Sequence, residues 1–221
     1  TLLAHPPLTT YVESDIYPVR VYYESSAYLS KAVELLDYAE ESWRQEVEEM
    51  EFYPPWKVVQ GEAMEGVDVY LTDTGMGGGG YTAPDYVLSD MGHAACSSFI
   101  VVDKRNSGIV MAAVMAHEFN HACQASMDCV EWLSFWEMSA TYMEQLVFPD
   151  DPTYIGFIPF FQALPENSLD WYRKTGTDVY YYYGEMIFTT FLEEAYGWND
   201  GTLLREAWEH TMQLQFENLI T

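Results

Sequence analysis

Two histidines four residues apart, with a glutamate directly after the first, form the strongest chemical signal in the chain: His117, Glu118 and His121. Residues i and i+4 share one face of a helix, so both imidazoles can bind a single metal ion. Glu118 lies beside that face, where its carboxylate can take a proton from an activated water. The apolar stretch 110–116 is typical of a buried helix. This arrangement predicts one catalytic zinc ion.

A catalytic zinc ion usually has three protein ligands and a water, so a third ligand is needed. In the metzincin class it comes six residues after the second histidine, with a glycine at the third. Those positions hold Met127 and Gln124, which excludes that class. The next predicted helix offers Glu137 and Glu144 instead. For either carboxylate to reach the ion, this helix must fold back over the metal helix.

The segment after the metal motif resembles the gluzincins, which include thermolysin-like peptidases and zinc aminopeptidases. Many of them carry the pattern E-G-x-A-x-Y-x-E. Glu137, Ala140, Tyr142 and Glu144 match it, and Met138 replaces its glycine. The resemblance implies that Glu137 is the third zinc ligand and that Glu144 supports the site. It covers the second half of the chain well and the first half only in architecture, and it is nearest to uncharacterised secreted bacterial metalloproteases.

A run of tyrosines supplies the next candidate. Aminopeptidase-like gluzincins place a tyrosine three residues before a glycine, which corresponds here to Tyr181 before Gly184. The resemblance implies that the Tyr181 hydroxyl stabilises the oxyanion formed during hydrolysis. Since residues 180–183 are all tyrosines, the register stays open. The aspzincin pattern G-T-x-D-x-x-Y-G offers a weaker rival ligand in Asp178, although helix capping suits that residue better.

The resemblance implies a zinc-dependent endopeptidase with Glu118 as general base and then general acid. An aminopeptidase of the same clan is one alternative, although no G-x-M-x-N-type segment for a free amine is visible. A latent or non-catalytic zinc-binding domain, held inactive by a propeptide or inhibitor, is the other; the intact Glu118 argues against it. We expect a polypeptide substrate, a monomer, and secretion to the extracellular space, although no signal peptide is visible.

The composition is strongly acidic: 35 acidic and 9 basic residues give a formal net charge of −26 over 221 residues. Such a surface repels phosphate backbones, so we expect no nucleic-acid partner. No apolar run reaches the length that spans a membrane, so no membrane association is expected. Acidic clusters such as 48–51 are first of all solvated faces, and a structural Ca²⁺ site is the alternative.

Three cysteines are too few for a disulfide framework. Cys123 and Cys129 flank the end of the predicted metal helix and are close enough in sequence to pair across it, which would leave Cys96 unpaired. Three buried thiols are the alternative.

Residue periodicity predicts an α+β fold, and the resemblance makes it zincin-like: a small mixed β-sheet with a backing helix and an active-site helix, then a mainly helical C-terminal subdomain. The predicted strands are 16–23, 56–60, 67–73 and 98–102. The backing helix starts near Ser26 and ends before Pro54-Pro55. The later helices are predicted at 108–127, 130–147, 154–164, 178–196 and 202–217.

The predicted organisation is an N-terminal zincin subdomain over 1–125 and a helical subdomain over 126–221. By analogy with zincins, strand 98–102 is an exposed sheet edge that pairs with the substrate main chain. A glycine run, 77–80, lies in a predicted loop of about 20 residues that would border the cleft.

Overall fold

The computed structural model describes residues 4–171 and 180–213 of the chain. It is an α+β structure, as predicted, with a mixed sheet and a separate hairpin in its first half and helices in its second. The strands are β1 (Thr10–Glu13), β2 (Val19–Tyr23), β3 (Trp56–Val59), β4 (Glu62–Glu65), β5 (Val67–Thr72), β6 (Gly80–Val87) and β7 (Cys96–Asp103). The α-helices are α1 (Leu29–Ser42), α2 (Gly108–Met127), α3 (Leu133–Val147), α4 (Ile158–Gln162), α5 (Tyr181–Gly184), α6 (Met186–Tyr196) and α7 (Thr202–Thr211).

The five-stranded sheet has the order β1-β2-β5-β7-β6. The three middle strands run parallel, whereas β1 and β6 pair antiparallel at the two edges. The expectation that 98–102 is an exposed edge is wrong, because β7 is buried along its whole length between β5 and β6. The edge strand next to β7 is β6, and it packs against α2.

Strand β6 lies inside the stretch that was predicted as a loop. Its sequence contains Gly80, Ala83, Pro84 and Asp85, all residue types that are depleted in strands. Proline cannot donate to a ladder, so it is confined to edge strands or bulges, and the pairing of β6 with β7 is irregular between Pro84 and Val87. The pairing with β7 therefore makes this segment a strand against its own propensity.

Helices α1 and α2 cover one face of the sheet and enclose the main core with it. The backing helix begins as a 3₁₀ turn, continues as α1, and ends as a π-helical segment over Trp43–Glu49. Trp43 and Glu46 of that segment are buried against α2. Because a π-turn rotates side chains relative to an α-helix, this segment sets where Glu46 points.

The helix α2 spans the predicted 108–127, and α3 packs against it after a turn. Within the described segments the other helices fall inside their predicted ranges and are shorter. Residues 178–179 of the predicted helix 178–196 and residues 214–217 of the predicted helix 202–217 lie outside the described segments. The proposed subdomain boundary at 125 falls in the last turn of α2 and stays a prediction. Of the helices in the described segments, none combines the length and the apolar character that crossing a bilayer requires.

Candidate metal centre

The helix α2 presents the two histidines to a common point at the edge of the sheet. His117 and His121 are buried, and their rings lie 4.6 Å apart at an angle of 89°. The residues around them on α2 are apolar or fully enclosed, which holds the helix in one rotational position. Both rings therefore face the gap between α2 and α3.

The third residue of the group comes from α3. An oxygen of Glu137 lies 3.1 Å from His117 Nε2 and 3.4 Å from His121 Nε2. All three ligand atoms are within 4.8 Å of one another, so the group could bind a metal ion. Burial opposes the charged form of Glu137, but the imidazoles of His121 and His117 outweigh it and lower the pKa of Glu137. Glu137 is therefore held as a carboxylate.

The other ring nitrogen of each histidine has its own acceptor. His117 Nδ1 lies 2.7 Å from an oxygen of Glu144, and His121 Nδ1 lies 2.7 Å from Gln124 Oε1. Both acceptors favour a hydrogen on Nδ1, so Nε2 is the nitrogen of each ring that faces the gap and that a metal ion would bind. Glu144 thus contacts His117 on the side of the ring that faces away from the gap.

Glu118 lies beside the three residues and hydrogen-bonds to the edge strand. Thr82 of β6 donates either to a Glu118 carboxylate oxygen, at 2.9 Å, or to the Glu118 carbonyl oxygen, at 2.7 Å. Burial raises the pKa of Glu118, and the nearby charges of His117 and His121 only partly offset this. The carboxylate is therefore both fixed in place and more basic than an exposed one.

The tyrosine register differs from the one expected. Tyr181 is fully buried, its hydroxyl donates to the Asn167 carbonyl oxygen at 3.2 Å, and burial raises its pKa to about 12. The structure thus places Tyr181 away from His117, His121 and Glu137. Tyr183 lies there instead, with its ring stacked 5.8 Å from that of His117. Burial, followed by the charge of Glu137, raises the pKa of Tyr183, so its phenol stays protonated and can donate.

A cleft of about 240 Å³ opens over these residues. It is lined by Met76, Gly80, Tyr81, Thr82, His117, Glu118, His121, Leu133, Trp136, Glu137 and Tyr183. The glycine loop reaches one wall through Met76, and it is anchored underneath because Asn106 exchanges two hydrogen bonds with Gly79. The cleft therefore brings a loop, an edge strand and three helices around the candidate metal centre.

Of the two alternatives for the cysteines, neither a Cys123–Cys129 disulfide nor three free thiols is found. Cys129 pairs with Cys96 at the start of β7, and Cys123 is a free, buried thiol. Cys123 lies on α2 facing the core, whereas Cys129 follows the helix and lies next to the loop that precedes β7. Closeness in sequence did not predict the pairing of Cys129, because the helix directs the side chain of Cys123 into the core and away from Cys129. The rival ligand Asp178 lies outside the described residues.

The chain matches no protein-family profile, and no curated protein is significantly similar to it. Site residues that sequence reasoning missed are Thr82 and Gln124, whereas Tyr183 was one of the four tyrosines between which the sequence could not choose. Thr82 was hidden in a predicted loop, and Gln124 entered only as a failed metzincin position. A signal for Gln124 did exist, because it follows His121 by three residues and so shares its helix face.

Proposed function

We propose that the chain is a zinc-dependent endopeptidase of the gluzincin type. The observation that carries this proposal is the convergence of His117, His121 and Glu137 within 4.8 Å, with Glu118 buried beside them on the wall of a cleft. A metal-binding group next to a general base is the arrangement that metal-assisted hydrolysis needs.

The donor set fits zinc. Two imidazole nitrogens and one carboxylate oxygen are common ligands of catalytic zinc, and three protein ligands leave a position for water or substrate. Calcium and magnesium prefer oxygen ligands, so two imidazoles argue against them. A bound zinc ion would lower the pKa of water toward neutrality and polarise the carbonyl of the scissile bond.

The residues around the donor set divide the proton chemistry between them. Glu118 takes a proton from the attacking water and later gives it to the leaving amine, and its raised pKa suits both steps. Tyr183 has a protonated phenol within the same cleft and would donate a hydrogen bond to the developing oxyanion. The Thr82 hydroxyl lies 2.9 Å from a Glu118 carboxylate oxygen and would hold that carboxylate next to β6.

The edge strand β6 supports endopeptidase over aminopeptidase activity. A substrate paired antiparallel with β6 would run from the Val87 end toward Gly80, so its residues N-terminal to the scissile bond would lie along 83–87. Thr82, which holds Glu118, is followed by five further strand residues, about 17 Å of edge at about 3.4 Å per residue. An aminopeptidase binds one residue on that side and would leave this edge unused.

Secretion and the expected partners remain part of the proposal. The disulfide Cys96–Cys129 supports an oxidising compartment, where such bonds persist. A polypeptide substrate fits the cleft and its strand edge. We further propose a monomer without nucleic-acid partners, consistent with a formal net charge of −26.

The test is to replace Glu118 by glutamine and to measure zinc content and cleavage of denatured casein together. We expect one zinc ion per chain in both proteins and at least about 10³-fold slower cleavage by Glu118→Gln, since the base is lost. Glu65→Gln is the matched control, because Glu65 is exposed on β4. Undiminished cleavage by a zinc-loaded Glu118→Gln protein would refute the mechanism.

Two further measurements separate the proposed endopeptidase from an aminopeptidase and from a non-catalytic zinc-binding domain. Peptides with blocked and free N-termini should be cut at internal bonds at similar rates by an endopeptidase. Cleavage confined to free N-termini would indicate an aminopeptidase instead. One bound zinc ion without turnover of any peptide would indicate a latent or non-catalytic domain.

A further inference from the structure

A chain of buried hydrogen bonds leads from the metal-binding group to the backing helix, and Gln124 is its first member. Gln124 Oε1 lies 2.7 Å from His121 Nδ1. Its amide nitrogen lies 2.6 Å from Asn120 Oδ1, 2.8 Å from Ser139 Oγ and 3.2 Å from the Trp136 carbonyl oxygen. Gln124 is completely buried, so no solvent competes for these bonds.

The partners of Gln124 determine which way its amide points. The Trp136 carbonyl oxygen can only accept a hydrogen bond, so the atom facing it must be the amide nitrogen. The amide oxygen then faces His121 Nδ1, and an oxygen without hydrogen can bind that nitrogen only if it carries a proton. Nδ1 of His121 therefore carries the hydrogen of the neutral ring, and Nε2, which faces Glu137 and the cleft, is the nitrogen left to bind a metal ion.

Asn120 and Glu46 are the next two members of this chain of hydrogen bonds, and their partners again determine which way the amide points. Asn120 Oδ1 accepts from Gln124, so its amide nitrogen must face the other side, where it donates to Glu46 Oε2 at 2.9 Å. Glu46 belongs to the π-helical segment Trp43–Glu49 and is fully buried. This side chain is the only acceptor that the described residues offer to the Asn120 amide nitrogen, and its direction comes from the π-helical turn.

Glu46 is costly where it lies. Its second oxygen, Oε1, has no hydrogen-bond partner within the described part of the chain. Burial raises the pKa of the Glu46 carboxyl group well above its usual range. An apolar side chain would suit a site between two packed helices better for stability alone. A buried carboxyl that costs stability and ends a hydrogen-bond chain at a metal-binding histidine has the character of a functional residue.

We propose that Gln124, Asn120 and Glu46 are positioning residues that fix the tautomer and the ring orientation of His121 for metal binding. The inference rests on the metal centre of the proposed function but not on peptidase activity. None of the three residues lines the cleft, so none touches substrate or reacting atoms. Their effect is exerted through His121 alone.

The first experiment compares the wild-type chain with Gln124→Met, which keeps the shape of the side chain and removes its acceptor. Zinc affinity is measured by competition with a chromophoric chelator, and the tautomer of His121 by ¹⁵N NMR of the zinc-free protein. We expect about 10–100-fold weaker zinc binding, as for other residues that orient a metal-binding histidine, and a loss of the Nδ1–H tautomer. Unchanged affinity together with an unchanged tautomer would overturn the proposal.

Glu46 gives the second experiment, which still decides the question if Gln124→Met does not fold. Glu46→Gln keeps an oxygen that can accept from Asn120 and should retain zinc affinity within about 3-fold. Glu46→Met lacks that oxygen and should weaken zinc binding by about 10-fold, at the lower end of the range for residues that orient a metal-binding histidine. Equal zinc affinities for these two variants would overturn the proposal.

A matched control separates positioning from a general loss of stability. Ser126 lies on the same helix, is fully buried, and donates to the Cys123 carbonyl oxygen at 2.6 Å outside the hydrogen-bond chain. Ser126→Ala should lower thermal stability while leaving zinc affinity and the His121 tautomer unchanged. If Ser126→Ala weakens zinc binding as much as Gln124→Met, the proposal fails. A wild type that binds zinc but cleaves no peptide would remove the peptidase function and leave these affinity measurements valid.

Discussion

Replacing Gly80 by alanine tests whether the position of Glu118 limits catalysis. Gly80 begins β6 and lines the cleft. An added Cβ atom would lie 2.8 Å from Glu118 Cγ, 2.8 Å from Val114 Cγ1 and 3.0 Å from the Val101 carbonyl oxygen. The strand and the helix approach so closely here that only glycine fits without a shift.

The size of the effect follows from these distances. Carbon atoms in contact stay about 3.5–4.0 Å apart, so Glu118 and Val114 must each retreat by about 0.7–1.2 Å, or β6 must move by a similar amount. A misplacement of about 1 Å in catalytic geometry can cost about 100-fold in rate. We therefore expect Gly80→Ala to lower kcat/KM by about 10–100-fold, which corresponds to about 1.4–2.7 kcal/mol. The added methyl contacts no metal-binding residue, so zinc content should not change.

The assay is steady-state cleavage of an internally quenched peptide, with zinc measured in the same samples. Gly156→Ala is the matched control, because an added Cβ at Gly156 meets nothing within 4 Å. It should keep wild-type activity. Full activity of a zinc-loaded Gly80→Ala protein would refute the reasoning that Glu118 must stay where β6 holds it.

Three further predictions follow from single contacts. Tyr183→Phe should lower kcat by about 100-fold without loss of zinc, whereas Tyr181→Phe should leave kcat unchanged and cost about 1 kcal/mol of stability; equal kcat values for the two variants would contradict this. Replacing Cys96 and Cys129 by serine should lower the free energy of unfolding by about 3–4 kcal/mol, since the disulfide closes a loop over a separation of 33 residues; chemical denaturation measures this, and unchanged stability would contradict it. Side-chain and main-chain hydrogen bonds from Arg105 and Thr74 hold the pKa of Asp103 below its usual range, although burial acts to raise it. The stability that this carboxylate contributes should therefore be fully present above about pH 4–5 and be lost as pH falls further; an Asp103→Asn variant that differs equally from the wild type at pH 7 and pH 2 would contradict it.

The parts of the site that could be predicted from the sequence are those set by local helix geometry. His117 and His121 share a face of α2 because they are four residues apart. The place of Glu137 required a second helix that folds back, and the gluzincin pattern suggested which carboxylate would reach. The structure brings Glu137 to both imidazoles, while Glu144 meets only the far nitrogen of His117.

Features that depend on long-range pairing could not be predicted. Residues 80–87 form a strand because β7 pairs with them, whereas their glycine and proline favour a loop. Cys96 reaches Cys129 only once β7 is placed beside the end of α2. Tyr181 and Tyr183 are two positions apart on a short helix and face different sides, so counting from Gly184 could not choose between them.

Zinc binding by His117, His121 and Glu137 is tested most directly by a crystal structure of the zinc-loaded protein, with anomalous data collected at the zinc edge. We expect a single strong peak about 2.0–2.2 Å from the Nε2 atoms of His117 and His121 and from an oxygen of Glu137. Tyr183 and Glu118 should face the remaining coordination position. A zinc peak bound by other residues, or coordination by Glu144 in place of Glu137, would contradict the account.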